Sequence, residues 1–184
     1  MTAHEDEVLA CRAAAGDREA FVTLLERHYA RIYRVASRAL GDADEAADLA
    51  QDVCEALPAK LSAFRGGRGF ANWLYRVVVN AATDARRRRL SRQRNEALYA
   101  EVNALKQPAD AARASQVRWL RRALQRLPDH LRNTAVLVLD VGLRHSDAGE
   151  ALGVSESTIS WRMHEVRKRL RTMADDDDVP QPRD

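Results

Sequence analysis

The chain has 184 residues with 30 Lys and Arg against 27 Asp and Glu, a net charge of +3, 46% hydrophobic and 31% charged residues. That is enough apolar material for one or two packed domains, while the absence of an apolar run of about 18 residues or of a leader-like segment excludes a membrane span and predicts a cytoplasmic protein. The two cysteines, Cys11 and Cys54, stand far apart and outside any Cys/His ligand spacing, which excludes a structural zinc site and a disulfide framework.

Alanine, leucine and arginine dominate and β-branched runs are scarce, so the expected fold is all-α. A short helix over about 4–15 closes at Gly16, and Asp17 can cap the next. There Phe21, Leu24, Leu25, His28, Tyr29, Ile32, Ala36 and Leu40 keep a 3.6-residue period until Gly41-Asp42 breaks it. A third helix starts near Asp44 with Ala46, Leu49, Ala50, Val53 and Leu57 as its apolar stripe, and Pro58 is expected to kink or restart it. Its outer side carries Asp44, Asp48, Gln51, Asp52 and Glu55. Between Gly41 and Leu57 there are six acids and no Lys or Arg. Such a stripe is either a solvated face or a docking surface for a basic partner; as a single stripe it does not converge on a metal.

After the glycine-rich "FRGGRGF", Phe64 to Phe70, a fourth helix is predicted from Asn72. Trp73, Leu74, Val77, Val78, Ala81, Ala82 and Ala85 line one side, and Asn72, Arg76, Asn80, Thr83 and Arg87 the other. It runs into a segment, Arg86 to Arg94, with six arginines and no acid. Trp73 reads as core because it falls on the apolar stripe; Tyr75 lies at the boundary and either role fits it. Residues 96–115 read as an interdomain linker. A second helical block from about Gln116 carries Trp119, Leu120, Ala123, Leu124 and Leu127 up to Pro128, and "RNTAVLVLDVGL" reads as a buried helix stopped by Gly142.

Near the end, a short helix over 146–152, a tight turn at Gly153-Val154-Ser155 and a last helix with Ile159, Met163, Val166 and Leu170 inward make a helix-turn-helix pattern. Ser155, Ser157, Thr158, Ser160, Trp161, Arg162, His164, Glu165, Arg167 and Lys168 are the candidates to reach bases or phosphates. An ordinary helical hairpin with a solvated basic face has the same pattern, and a single Trp161 is more often core than reader. "DDDD" at 175–178 could shield the neighbouring basic cluster; the simpler reading is a disordered acidic tail over 175–184.

Taken together, "AFVTLLERHYARIYRVA", "GDADEAADLAQDV", "FRGGRGFANWLYRVVVNAATDARRRR", "ALQRLPDHLRNTAVLVLDVGL" and "ALGVSESTISWRMHEVRKRL", in this order and spacing, resemble the extracytoplasmic-function (group IV) sigma factors of bacterial RNA polymerase, from about Glu19 to Arg171. The resemblance implies two small helical domains joined by a flexible linker: residues 1–95 for polymerase docking and minus-ten opening, and residues 116–174, a helix-turn-helix, for the minus-thirty-five element. It implies core RNA polymerase (the clamp helices of the largest subunit and the flap of the second), promoter DNA and an anti-sigma factor as partners, with no cofactor, no metal and no catalysis.

Carried onto this chain, Asp44, Asp48, Gln51, Asp52 and Glu55 match the polymerase-docking helix. Phe64, Arg65 and Arg68 lie in the loop that captures an extruded base. Asn72, Arg76, Asn80, Thr83, Asp84 and Arg87 lie on the helix that meets the melted strand, and Arg86 to Arg89 form its basic end. The departures are in the second half. Ala148 and Gly149 stand where a bulky residue and an alanine are usual, and glycine should weaken that helix by about 1 kcal/mol relative to alanine. Arg144 replaces a capping serine, Trp161 a small residue and Glu165 an arginine, which weighs against duplex binding of the usual strength. Two other functions compete: an autonomous helix-turn-helix regulator, which would bind operators without polymerase, and a metal-dependent nuclease, which would need converging ligands and a positioned base.

Overall fold

The computed structural model describes residues 3–64, 66, 69–96 and 112–177, with side chains described for 4–64, 66, 69–91 and 119–177. All regular elements among them are helical: α1 (Ala3–Ala14), α2 (Arg18–Leu40), α3 (Ala43–Leu61), α4 (Phe70–Glu96), α5 (Ala112–Arg126), α6 (Asp129–Ala135) running into a π-helical turn (Val136–Asp140), α7 (His145–Leu152) and α8 (Glu156–Asp176). The predicted linker falls largely outside the described residues, and its two ends belong to α4 and α5.

Local chemistry sets the corners. Asp17 caps α2 by accepting from the Ala20 amide at 3.0 Å, and Asp42 caps α3 by accepting from the Asp44 and Glu45 amides. Between them Gly41, at φ +80°, ends α2 in the left-handed conformation. Pro58 does not restart α3, which continues through it to Leu61. It sits in the last turn, where few backbone bonds remain to be lost, and the buried Leu57 and Leu61 hold that turn to the core.

Helices α1 to α4 pack around Leu24, Ile32, Val53, Leu74 and Val78. Tyr75, only 6% exposed, and Val79 are buried as well. The buried arc of α4 is thus wider than its sequence stripe, because α4 is covered by α1, α2, α3 and α7. Trp73 stands in an aromatic cluster with Phe64 and Phe70, ring centroids 5.5 and 5.7 Å away, which supports its reading as a packing residue.

The helix-turn-helix is α7 and α8. Ser155 caps α8 by accepting from the Thr158 amide at 3.2 Å. Ile159, Met163 and Val166 are fully buried on its inner side. Arg144 makes no capping bond; it pairs instead with Asp147 one turn on, at 2.9 Å. Asp175 and Asp176, assigned by sequence to a disordered tail, belong to the last turn of α8, and Asp177 accepts from Trp119 Nε1 at 2.9 Å.

Gly149 reverses a sequence expectation. A Cβ built on it lies 2.8 Å from the Val154 backbone oxygen, while the Val154 amide donates to the Gly149 carbonyl at 2.9 Å. The turn between α7 and α8 therefore closes directly against this residue. Gly149→Ala should destabilise the protein by about 1–3 kcal/mol through overpacking, rather than stabilise it as helix propensity alone predicts. Urea unfolding of the two proteins decides the sign.

Candidate nucleic-acid interface

Two exposed surfaces of opposite charge flank the groove between α3 and α4. On α3, Asp44, Asp48, Gln51, Asp52 and Glu55 are all exposed, and Gln51 donates to Glu55 at 2.9 Å. On α4, Arg76, Asn80, Asp84, Arg87 and Arg88 are exposed, while Asn72 and Thr83 are half-buried. A groove of about 420 Å³ runs between them, bordered by Asp52, Lys60, Arg76, Asn80, Asp84 and Arg88.

The arginine run is not uniform. Arg89 pairs with Glu45 of α3 at 2.9 Å. Arg86 is mostly buried: it donates to the Gln125 carbonyl at 3.1 Å and lies 3.5 Å from Asp129. Burial lowers its pKa, opposed by Asp129. Arg87 and Arg88 are the exposed members. Sequence treats the four as one basic end; the structure ties two of them into the fold.

A second cavity, about 310 Å³, opens at the start of α4 between Ala63, Phe64, Gly66, Asn72, Trp73, Arg76 and Glu150. Arg65 and Arg68 lie outside the described residues. The cavity's rim is held from a direction that sequence reasoning missed. Glu7 of α1 accepts from the Gly69 amide at 2.9 Å, and the neighbouring Asp6 accepts from Arg27 and His28 of α2 at 3.0 and 2.8 Å. His28 is buried with its ring 5.2 Å from that of Phe70, and burial keeps its pKa below the usual value despite Asp6. Nothing in the local pattern of α1 marks Glu7, because its partner is 62 residues away. Glu7→Ala should cost about 1–2 kcal/mol by leaving a part-buried amide unpaired, and should speed amide hydrogen exchange at Gly69.

In the second half, Ser155, Ser157, Ser160, Trp161, His164, Arg167 and Lys168 are exposed, and Thr158, Arg162 and Glu165 are partly so. Trp161 is 59% exposed, so the ordinary expectation of a core tryptophan fails here. Ser160 is hydrogen-bonded to His145 of α7 at 2.9 Å. The carboxylate of Glu165 bonds Arg169 one turn on at 2.7 Å, which lowers its pKa. That pairing offsets the repulsion a lone carboxylate would exert on phosphates.

Among the described residues no cluster of three or more metal-ligating side chains occurs, and no helix is long and apolar enough to cross a membrane. Cys11 and Cys54 are free thiols, and burial raises the pKa of Cys54.

A helical bundle with an acidic face beside a cationic one, followed by a helix-turn-helix, defines a DNA-directed transcription factor. The sigma-70 region 2 model matches residues 24–92. The chain is 33% identical to the ECF RNA polymerase sigma factor SigM of Mycobacterium tuberculosis over 90% of its length and 82% of that protein's. Among solved structures, CnrH in complex with the cytosolic domain of CnrY superposes with a TM-score of 0.69 at 27% identity, covering 94% of this chain and 99% of that one. The sigma factor RpoE of Bartonella quintana, solved with the anti-sigma factor NepR, shares the fold, with a TM-score of 0.66 at 22% identity over 84% of this chain and 96% of that one. The chain belongs to the ECF RNA polymerase sigma factors, initiation factors of the sigma-70 family.

Proposed function

We propose that residues 1–95 dock on core RNA polymerase through the outer face of α3 and hold the opened minus-ten strand along α4. The observation that supports this most is the division of one small bundle into two exposed surfaces of opposite sign. Asp44, Asp48, Gln51, Asp52 and Glu55 form an acidic stripe suited to a basic protein surface. Arg76, Asn80, Asp84 and Arg87 form a polar, mainly cationic ridge that leads to a pocket. Single strands are gripped by positive charge together with pockets or stacking platforms. Unstacking a base costs a few kcal/mol, and a pocket that takes the extruded base offsets part of that cost.

The pocket between Phe64, Asn72 and Trp73 is the candidate receptor for such a base, with Arg65 and Arg68 of the adjoining loop as further candidates. Because Trp73 and Phe64 are engaged with Phe70, they would wall the pocket rather than swing out as free stacking platforms. The exposed face of α8 from Ser155 to Lys168 would read minus-thirty-five duplex, with Trp161 and Glu165 giving it an individual preference. The flap of the second-largest polymerase subunit and an anti-sigma protein, of the kind seen with the Bartonella factor, are the further partners of this reading. The protein acts in the cytoplasm, where the polymerase works, and has no catalytic step of its own.

Core polymerase should retain the purified protein and, with it, give run-off transcripts from its own promoters, with minus-ten thymines becoming reactive to permanganate. Tight operator binding by the free protein with no affinity for core would replace this reading with that of an autonomous regulator.

A further inference from the structure

Two neighbouring carboxylates of α1 reach the start of α4. The Gly69 amide donates to Glu7 at 2.9 Å, and Gly69, at φ +74°, immediately precedes α4. The Gly69 carbonyl accepts from the Trp73 amide at 3.3 Å, which makes Gly69 the N-cap of the helix. Asp6 makes the second connection. It bonds the His28 ring at 2.8 Å, and that ring meets the ring of Phe70, the first residue of α4, at 5.2 Å and 68°. His28 and Phe70 are both buried.

The help comes from another helix because α4 has none of its own. Helix starts leave amides without partners and favour negative charge. α2, α3 and α8 meet that need with the side chains of Asp17, Asp42 and Ser155. α4 has no acid in its first turn, and its N-cap is a glycine. In a capping box the third helical residue turns back to the N-cap amide. Here the third residue is Asn72, yet the bond is made by Glu7. The Asn72 side chain makes no hydrogen bond to any described residue, and it lines the cavity beside Phe64 and Trp73.

Resting on the reading of that cavity as the receptor for an extruded base, we propose that Glu7 is a positioning residue for base discrimination: by capping α4 from α1, it frees the Asn72 amide to face the base and sets where that amide stands. A side-chain amide carries an acceptor oxygen and a donor nitrogen, enough to tell bases apart by their hydrogen-bonding edges. Such selectivity survives only while the reading group is held to within about 0.5 Å. Asn72 belongs to the first turn after Gly69, so a shift of the N-cap moves it directly. Without Glu7, the Gly69 amide competes with the base for the Asn72 oxygen. Asp6 steadies the same corner through His28 and Phe70. No residue of α1 lines the cavity, so its influence passes through the first turn of α4.

The test uses the full chain assembled with core polymerase. The holoenzyme is equilibrated with single-stranded DNA of about 12 nucleotides, randomised at every position, and the bound strands are sequenced and aligned. Enrichment of each base at each position reads the preference. Asn72→Ala marks the position that the pocket serves, because the preference is lost there and kept elsewhere. Glu7→Gln keeps the length of the side chain and an accepting oxygen but loses the charge. Glu7→Asp keeps the charge but is shorter by one methylene.

At the marked position the parental protein should favour one base over the next by about ten-fold. Glu7→Ala and Glu7→Asp should reduce this to about two-fold and leave the flanking preferences unchanged. Glu7→Gln, which still accepts from the Gly69 amide, should keep the parental preference. The aspartate arm stands even if Glu7→Ala fails to fold. A helix brace with no part in reading bases would weaken all positions together, and that result overturns the proposal. So does a Glu7→Asp protein that keeps the parental preference, or a Glu7→Gln protein that loses it as alanine does. If Asn72→Ala flattens a position that Glu7→Ala and Glu7→Asp leave intact, the pocket stands and the part given to Glu7 is wrong. If Asn72→Ala changes no position, the pocket reading itself fails and the proposal falls with it.

Discussion

Asp52→Arg is expected to lower affinity for core RNA polymerase by about 100-fold, or roughly 2.7 kcal/mol, with no loss of folding. Asp52 is exposed in the middle of the α3 stripe, between Asp48 and Glu55. Its side chain takes no part in the ion pair that ties α3 to α4, which Glu45 makes with Arg89, nor in the Asp42 cap of α3. A surface substitution of this kind usually moves stability by less than about 0.5 kcal/mol, so the thermal melt should barely change. At an interface with a basic partner the substitution removes one attraction and adds one repulsion, and like charges set face to face cost several kcal/mol.

Two controls separate this from a general charge effect. Glu19→Arg changes the net charge equally but lies in the first turn of α2, away from the stripe, and should bind core as the parental protein does. Raising the salt should weaken parental binding and narrow its gap to Asp52→Arg, as screening shortens the reach of exposed charges. Normal core binding by Asp52→Arg at low salt would remove α3 from the docking surface.

The corners of the fold were legible because their causes are local. Asp17, Asp42 and Ser155 cap helices within three residues of themselves, and the stripe Ile159, Met163, Val166 reads directly as the inner face of α8. What escaped has partners far along the chain. The burial of Tyr75 and Val79 depends on how many helices surround α4, which its own periodicity does not encode. Glu7 and Asp6 act on Gly69 and His28, on other elements. Gly149 looks like a weak helix residue until the Val154 carbonyl is placed beside it.

The candidate site divides in the same way. The exposed faces of α3, α4 and α8 follow from amphipathic periodicity, so most of the residues offered on these helices for polymerase and DNA are exposed, while Asn72 and Thr83 are half-buried. That Arg86 and Thr83 are engaged by Gln125, Asp129 and Asn133 follows only from the packing of two halves separated by the linker. Trp161 shows the limit of a prior based on residue type: the inner side of α8 is already filled by Ile159, Met163 and Val166, so the indole is left outside.

Arg132→Ala should be the most destabilising of the single changes considered, by roughly 3 kcal/mol, lowering the melting temperature by about 10 °C in a chain of this size. Arg132 is 2% exposed, and sequence gives it no role, since arginine is seldom fully buried. Its guanidinium donates from Nε to the Leu124 carbonyl at 2.9 Å and from Nη2 to the Leu127 carbonyl, and Nη1 pairs with Asp129 at 3.0 Å. Leu124 stands in the last turn of α5 and Leu127 one residue past it, where carbonyls run short of helical partners; the Leu124 carbonyl also accepts from the Leu127 amide at 3.2 Å, and Arg132 adds a donor to both from the next helix and so fixes the α5–α6 corner. Truncation would leave two carbonyls without that donor and a hole among Leu127, Leu131 and Val166. Asp129 is partly solvated and also near Arg86, which keeps the expected cost at the lower end of the range for a broken buried pair. Arg132→Met would fill much of the space without donating, and Arg132→Lys would restore charge but not the planar fork that reaches three acceptors. Both should fall between alanine and the parental protein. Since α6 carries Asn133 and packs on α8, loosening this corner should also release the contact with Thr83. A melt for Arg132→Ala within about 2 °C of the parental value, under 1 kcal/mol at this size, would mean that the corner is held by its leucines alone.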